Sequence, residues 1–167
     1  MPIPQPHLRK ISLEDRDHIL DILTSESVGK TFMLPVFQKK EDAIPLFLRL
    51  QELSAAPTRY VRCIDLQGCP IGFINDISQE NGTVEIGYVI HPDYQGRGYM
   101  TVALNAAIVE LTCHGVQQLI TGAFAENTAS IRVMEKCGMI RLSKTDEISY
   151  RNEIHSCVYY SRMLNGE

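Results

Sequence analysis

Several features are missing from this 167-residue sequence, and each absence removes a class of protein. No apolar run approaches the length of about 20 residues that a membrane-spanning helix requires, so a chain embedded in a bilayer is not expected. The first residues, Met1-Pro2-Ile3-Pro4-Gln5-Pro6, carry no basic stretch followed by an apolar one and do not read as a secretory leader. Positive charge is scarce: 16 Lys and Arg against 20 Asp and Glu leave −4, a poor balance for gripping a polyanion, so nucleic acid is disfavoured as a partner. The cysteines form no Cys-x-x-Cys pair and number five; Cys63, Cys69, Cys113, Cys137 and Cys157 therefore read as reduced thiols of a cytoplasmic protein. His7, His18, His91, His114 and His155 show no metal-ligand spacing, and no metal is expected. Repeats, low-complexity segments and linkers are lacking as well, so one domain over residues 1–167 is expected.

What is present reads as strands first and helices later. Leu8 to Ile11 is a short strand, and Ser12 caps the helix that follows, with Asp15 three residues on. A second helix runs from about Glu41 to Leu53, with Pro45 tolerated in its first turn. Arg59 to Leu66, Cys69 to Ile77 and Thr83 to Ile90 form an antiparallel meander with turns at Gln67-Gly68 and in the loop Ser78 to Gly82, where Asn81-Gly82 is a hairpin signal. Then Met100, Leu104, Ala107, Ile108 and Leu111 trace one face of a helix that Gly115 ends. Val116 to Phe124 is a buried strand. Asn127 caps a helix with Ile131, Met134 and Cys137 facing inward and Gly138 at its end, and Met139 to Ser149 and Ile154 to Leu164 are two more strands.

The most informative segment is Val89-Ile90-His91-Pro92-Asp93-Tyr94-Gln95-Gly96-Arg97-Gly98-Tyr99-Met100-Thr101. A strand ends, two glycines let the backbone approach a ligand, and a helix begins with free amides and a positive dipole end. An ordinary strand-to-helix turn also fits two glycines. Gly98-Tyr99-Met100 lacks the Gly-Lys-Ser/Thr of a Walker A loop. Thr101 stands where a dinucleotide fingerprint needs Gly or Ala, and Glu126 comes too late to hold a ribose.

Gln95-Gly96-Arg97-Gly98-Tyr99-Met100 resembles the Gln/Arg-x-x-Gly-x-Gly/Ala signature of the Gcn5-related N-acetyltransferases, with Met100 in place of the usual small residue. Asn127-Thr128-Ala129-Ser130, followed by Met134-Glu135-Lys136-Cys137-Gly138, is similar to the branch of the RimJ/RimL-type ribosomal-protein alanine acetyltransferases. Both motifs occur in order, and the element order matches from Leu8 to Leu164. The resemblance implies an α/β (α+β) fold: a mixed, mostly antiparallel central sheet with strands four and five splayed and helices on both faces.

The resemblance also implies a chemistry. Acetyl-CoA, as co-substrate, would bind in the cleft of the splayed strands, with its pyrophosphate on the backbone of Gly96 to Thr101. Its pantetheine arm would pair with Val89 and His91 across Ile90, a Val89 N–H beside a bulge near Tyr88 would face the acetyl oxygen, Asn127 would bond the arm, and Lys136 would reach the nucleotide end. His91 would contribute backbone rather than imidazole. The acceptor is an amine, a small molecule or a protein N-terminus, and Glu85, ten residues before Gln95, is the candidate base. An exposed strand glutamate explains Glu85 equally well. Family members often carry a Tyr where Met134 stands, and Ser130 is the substitute candidate acid; a first-turn role for Ser130 competes. Val102 replaces a frequent Glu. For Tyr159-Tyr160 core packing is favoured over lining the acceptor cleft. The alternative is a catalytically idle acetyl-CoA-binding sensor or scaffold. The sequence is silent on oligomeric state and compatible with a homodimer.

Overall fold

Two tight turns organise the middle of the chain. β2 (Val61–Leu66) and β3 (Cys69–Glu80) meet at Gln67-Gly68, and β3 and β4 (Thr83–Ile90) at Asn81-Gly82. All four turn residues have positive φ, 53° and 87° in the first and 51° and 81° in the second, the twist that lets two-residue hairpins close. The loop expected from Ser78 is therefore shorter: such a turn pairs the residues flanking it, and β3 runs on to Glu80. The computed structural model describes residues 2–164, which form two compact units.

The first unit holds the chain up to Asp76 together with Tyr88–Ala103. β1 (His7–Arg9) pairs antiparallel with β2, and β2 with β3. β1 stops short of the expected Ile11 because the Ile11 N–H turns away to donate to Ser54 Oγ at 2.9 Å. Ser12 and Asp15 cap a short 3-10 turn, with the Ser12 N–H donating to Asp15 Oδ2 at 2.8 Å, and α1 (Arg16–Leu23) follows. α2 (Glu26–Gly29), a single turn capped by Ser25, comes next with no periodic pattern to announce it. α3 (Ile44–Ala55) begins after a 3-10 turn at Lys40–Ala43, with Pro45 in its first turn. Ile19, Ile22 and Phe47 lie fully buried with Val61, Cys63 and Phe73 of the strands. Ile64 and Ile74, on the opposite face of β2 and β3, are equally buried, so these strands are covered on both sides. Each such side chain contributes about 1.5–3 kcal/mol by leaving water.

The second unit holds Ile77–Gly87 and the chain from Leu104. β5 (Gln118–Phe124) runs parallel to β4, and β7 (Glu153–Met163) antiparallel to both β5 and β6 (Ile140–Tyr150). Hydrogen bonding orders the strands β1-β2-β3-β4-β5-β7-β6, the mixed, mostly antiparallel sheet expected. The parallel ladder runs from Thr83↔Gln118 to Ile86↔Thr121 and ends there, although β4 continues to Ile90 and β5 to Phe124. α4 (Tyr99–Cys113) buries its expected stripe of Met100, Leu104, Ala107, Ile108 and Leu111, and α5 (Thr128–Lys136) buries Met134. Among the described residues no helix is long and apolar enough to cross a membrane.

Candidate active site

In the first unit the strand-to-helix loop is held from inside. The His91 N–H donates to Ile71 C=O at 2.7 Å, and its carbonyl accepts the Tyr94 N–H at 2.9 Å. His91 Nδ1 accepts the Asp93 N–H at 3.1 Å. Both backbone groups of His91 are thus engaged within the protein. Val89 is buried, and its carbonyl stands so close over Gly72 that a Cβ there would run into it. Gln95, the first residue of the glycine signature, staples the loop by donating from Nε2 to Ile90 C=O at 3.1 Å.

Gly96 and Gly98 have φ of 74° and 80°, a region strained for residues with a Cβ, and no protein atom lies within 4 Å of a Cβ built on either. The backbone therefore turns here with open space outside it. The first intrahelical bond of α4 is from Val102 N–H to Gly98 C=O at 3.2 Å, so the Tyr99 and Met100 amides precede the helix ladder. The first turn of α4 contains no acid. Tyr94 is the hub that sequence reasoning missed. Its ring lies 6.1 Å from His91 and 6.5 Å from Tyr99, the Arg97 guanidinium sits 5.9 Å above it, and its hydroxyl is 3.9 Å from Cys69 Sγ. The Cys69 contact pushes the Tyr94 phenol upward. Glycine-directed amides, a helix N-terminus, one guanidinium and no carboxylate in the first helical turn suit a diphosphate.

In the second unit, side chains do the work. Val84 and Ile86 point into the core, which puts half-buried Glu85 on the other face of β4, opposite Ile120. The register carries that face through Gly122 to Tyr159 of β7. The Tyr159 hydroxyl donates to Asp146 Oδ2 at 2.8 Å, and Lys144 Nζ lies 4.5 Å from the ring centre. Burial first, then the Asp146 hydrogen bond, hold the phenol well above its usual range, and Glu85 adds to this, so Tyr159 remains a neutral donor. Gly122 makes room for the ring, since a Cβ there would lie 2.8 Å from Tyr159 Cε1. Asp146 and this use of Tyr159 were invisible in sequence, because the two side chains meet only through the register of β6 on β7.

Asn127 caps α5, its Oδ1 accepting the Ser130 N–H at 3.2 Å, and Ser130 sits half-buried in the first turn. Lys136 is exposed in the last turn. It lies about 14 Å from Asn127 along the axis, given the rise of an α-helix. Met134 is fully buried core and has no proton to donate. Burial pushes the Cys137 thiol up, as befits a packed and unreactive cysteine. Among the described residues no three His, Cys, Asp or Glu side chains are grouped to hold a metal ion.

The model of the acetyltransferase (GNAT) domain matches residues 7–140. The chain belongs to this family. N-acetyltransferase p20 of Bacillus licheniformis, itself uncharacterized, is 27% identical over 144 residues, 80% of this chain and 81% of its own. A GNAT-family acetyltransferase from Bacillus anthracis matches with a TM-score of 0.82 at 25% identity, covering 99% of both chains. RimL, a ribosomal L7/L12 alpha-N-protein acetyltransferase solved in complex with coenzyme A, matches with a TM-score of 0.86 at 17% identity, over 98% of this chain and 96% of its own. The RimJ/RimL-type resemblance therefore extends to the fold. As a GNAT acetyltransferase the protein uses acetyl-CoA as its co-substrate.

Proposed function

We propose that this GNAT acetyltransferase transfers the acetyl group directly to a primary amine, with Glu85 as base. One observation carries the reading: Gly96 and Gly98 turn the backbone with positive φ into open space at the N-terminus of a 15-residue helix. Bound acetyl-CoA supplies an activated thioester carbonyl. The amides from Gly96 to Thr101 hold its diphosphate, Lys136 reaches the nucleotide end, and Asn127 bonds the pantetheine arm. The Val89 N–H polarises the acetyl oxygen. An ammonium has no lone pair, so Glu85 takes one of its protons, directly or through water, and the neutral amine attacks. The new C–N bond forms as the C–S bond breaks; the nitrogen gives up its surplus proton, the Ser130 hydroxyl relays a proton to the departing sulfur, and the products are the amide and CoA as its thiol.

The acceptor is either a protein N-terminus or a small amine. A panel of N-terminal peptides, amino acids, polyamines and aminoglycosides, followed by release of free thiol from acetyl-CoA, tests the reading. One or more acceptors should turn over well above hydrolysis. Tight acetyl-CoA binding without turnover of any amine would favour the idle sensor instead. A thermal-shift series adds a second check, with stabilisation expected from acetyl-CoA and CoA but not from NAD.

A further inference from the structure

The turn between β5 and α5 is held more firmly than a surface turn needs. The Ala125 N–H donates to Ser156 C=O at 2.7 Å, the Asn127 N–H to Phe124 C=O at 2.9 Å, and the Thr128 N–H to Glu126 C=O at 2.9 Å. Asn127 sits at φ −81° and ψ 73°, neither helical nor extended, so its direction is set by this turn. The Glu126 side chain is tied as well, with Oε1 2.8 Å from His155 Nδ1 on β7. The imidazole is itself fixed: it stacks on Phe124 at 4.3 Å and 17°, its centroid lies 6.0 Å from that of Tyr150, and its side chain is 12% exposed. Exposed ion pairs contribute little because two mobile side chains must be ordered. Here one partner is already ordered by ring packing, so the bond restrains Glu126, the residue before Asn127. His155 Nε2 faces Glu153 Oε2 at 3.9 Å, too far for a hydrogen bond.

We propose that His155 is a positioning residue for acetyl-CoA: by holding Glu126 it fixes the turn from which Asn127 addresses the pantetheine arm. The inference rests on the assignment of Asn127 to the cofactor. Nothing in the two family motifs includes His155, which lies 28 residues beyond Asn127 in the chain.

The test is calorimetric titration of acetyl-CoA into His155→Phe, which keeps a ring against Phe124 but removes the donor, and into Glu126→Ala, Glu126→Gln, the double variant and Asn127→Ala. His155→Phe and Glu126→Ala should each weaken binding by about three- to tenfold, the range for one net hydrogen bond, and raise KM far more than they lower kcat. The double variant should be no worse than either single one, and Glu126→Gln, whose carbonyl still accepts from Nδ1–H, should bind like wild type. Weakened binding in Asn127→Ala with unchanged affinity in folded Glu126→Ala would overturn the inference alone. So would additive losses in the double variant, which would show the two side chains acting separately. Unchanged binding in Asn127→Ala would overturn the cofactor assignment and this inference with it. Should His155→Phe not fold, exposed Glu126→Ala decides the matter.

Discussion

The two units use different materials. In the first, the loop from His91 to Thr101 is built of backbone: turned glycines, amides before the first helical bond, and a Gln95 staple onto Ile90 C=O. In the second, the Glu85 face is built of side chains: Glu85, Tyr159 on Asp146, and His155 on Glu126. Backbone recognition needs particular conformations and tolerates most side chains that permit them. Proton transfer and acceptor choice need particular functional groups. Substitutions should therefore act differently on the two. Changes at the loop should affect cofactor affinity through conformation, and changes on the Glu85 face should affect turnover through chemistry.

The sharpest contrast is Glu85→Gln, which keeps the shape of the side chain and removes its basicity. Turnover at neutral pH should fall by about 10²-fold or more, with acetyl-CoA affinity nearly unchanged. Part of the rate should return at high pH, where the acceptor arrives neutral. A pH–rate profile against the best acceptor checks this. An equal loss at every pH would make Glu85 a group that positions the acceptor, and wild-type rates would move the base elsewhere.

On the loop side the comparison is between two glycines of like conformation. Gly98 has φ +80° and Gly68 φ +87°, and neither has a protein atom within 4 Å of its Cβ position. Valine at either site should strain the backbone alike, by about 1–2 kcal/mol. Only Gly98→Val should also weaken acetyl-CoA binding, by about tenfold or more, because only there would the branched side chain occupy the space beside the helix N-terminus. Chemical denaturation and calorimetry on both variants separate the two effects. Equal affinities would show that the open space at Gly98 is not where the cofactor lies.

The same difference in materials explains what the sequence revealed. Gln67-Gly68, Asn81-Gly82 and the glycines after Gln95 announced their turns because positive φ restricts residue type locally, and the α4 stripe announced itself by period. The capping pair Ser12 and Asp15 was readable for the same local reason, although Asp15 also takes a bidentate bond from Arg9 at 2.8 and 2.9 Å that nothing local predicts. α2 was missed because one turn leaves no period to detect. Tyr159 was expected to be core and is indeed buried, yet its hydroxyl partner Asp146 lies on another strand, and the pairing follows only from the β6–β7 register. His155 and Glu126 are 29 residues apart and meet for a similar reason.

The mildest expected effect sharpens the side-chain half. Tyr159→Phe keeps the ring over Gly122 and deletes the hydroxyl that donates to Asp146 at 2.8 Å. Asp146 is only half-buried and can turn to water, so the cost should be about 1 kcal/mol at neutral pH, one net hydrogen bond. The pH dependence has a definite sign. Burial and Asp146 raise the folded-state value of the phenol above its unfolded value of about 10, so its contribution is complete below that pH and is lost as pH rises towards the folded value. Urea denaturation should show wild type more stable than Tyr159→Phe at pH 7, with the gap narrowing above about pH 10. Because the deleted hydroxyl holds a neighbour and does not accept the proton, turnover should fall by less than about threefold, far short of the loss at Glu85. A loss in Tyr159→Phe as large as that in Glu85→Gln would instead place the hydroxyl itself at the reacting atoms.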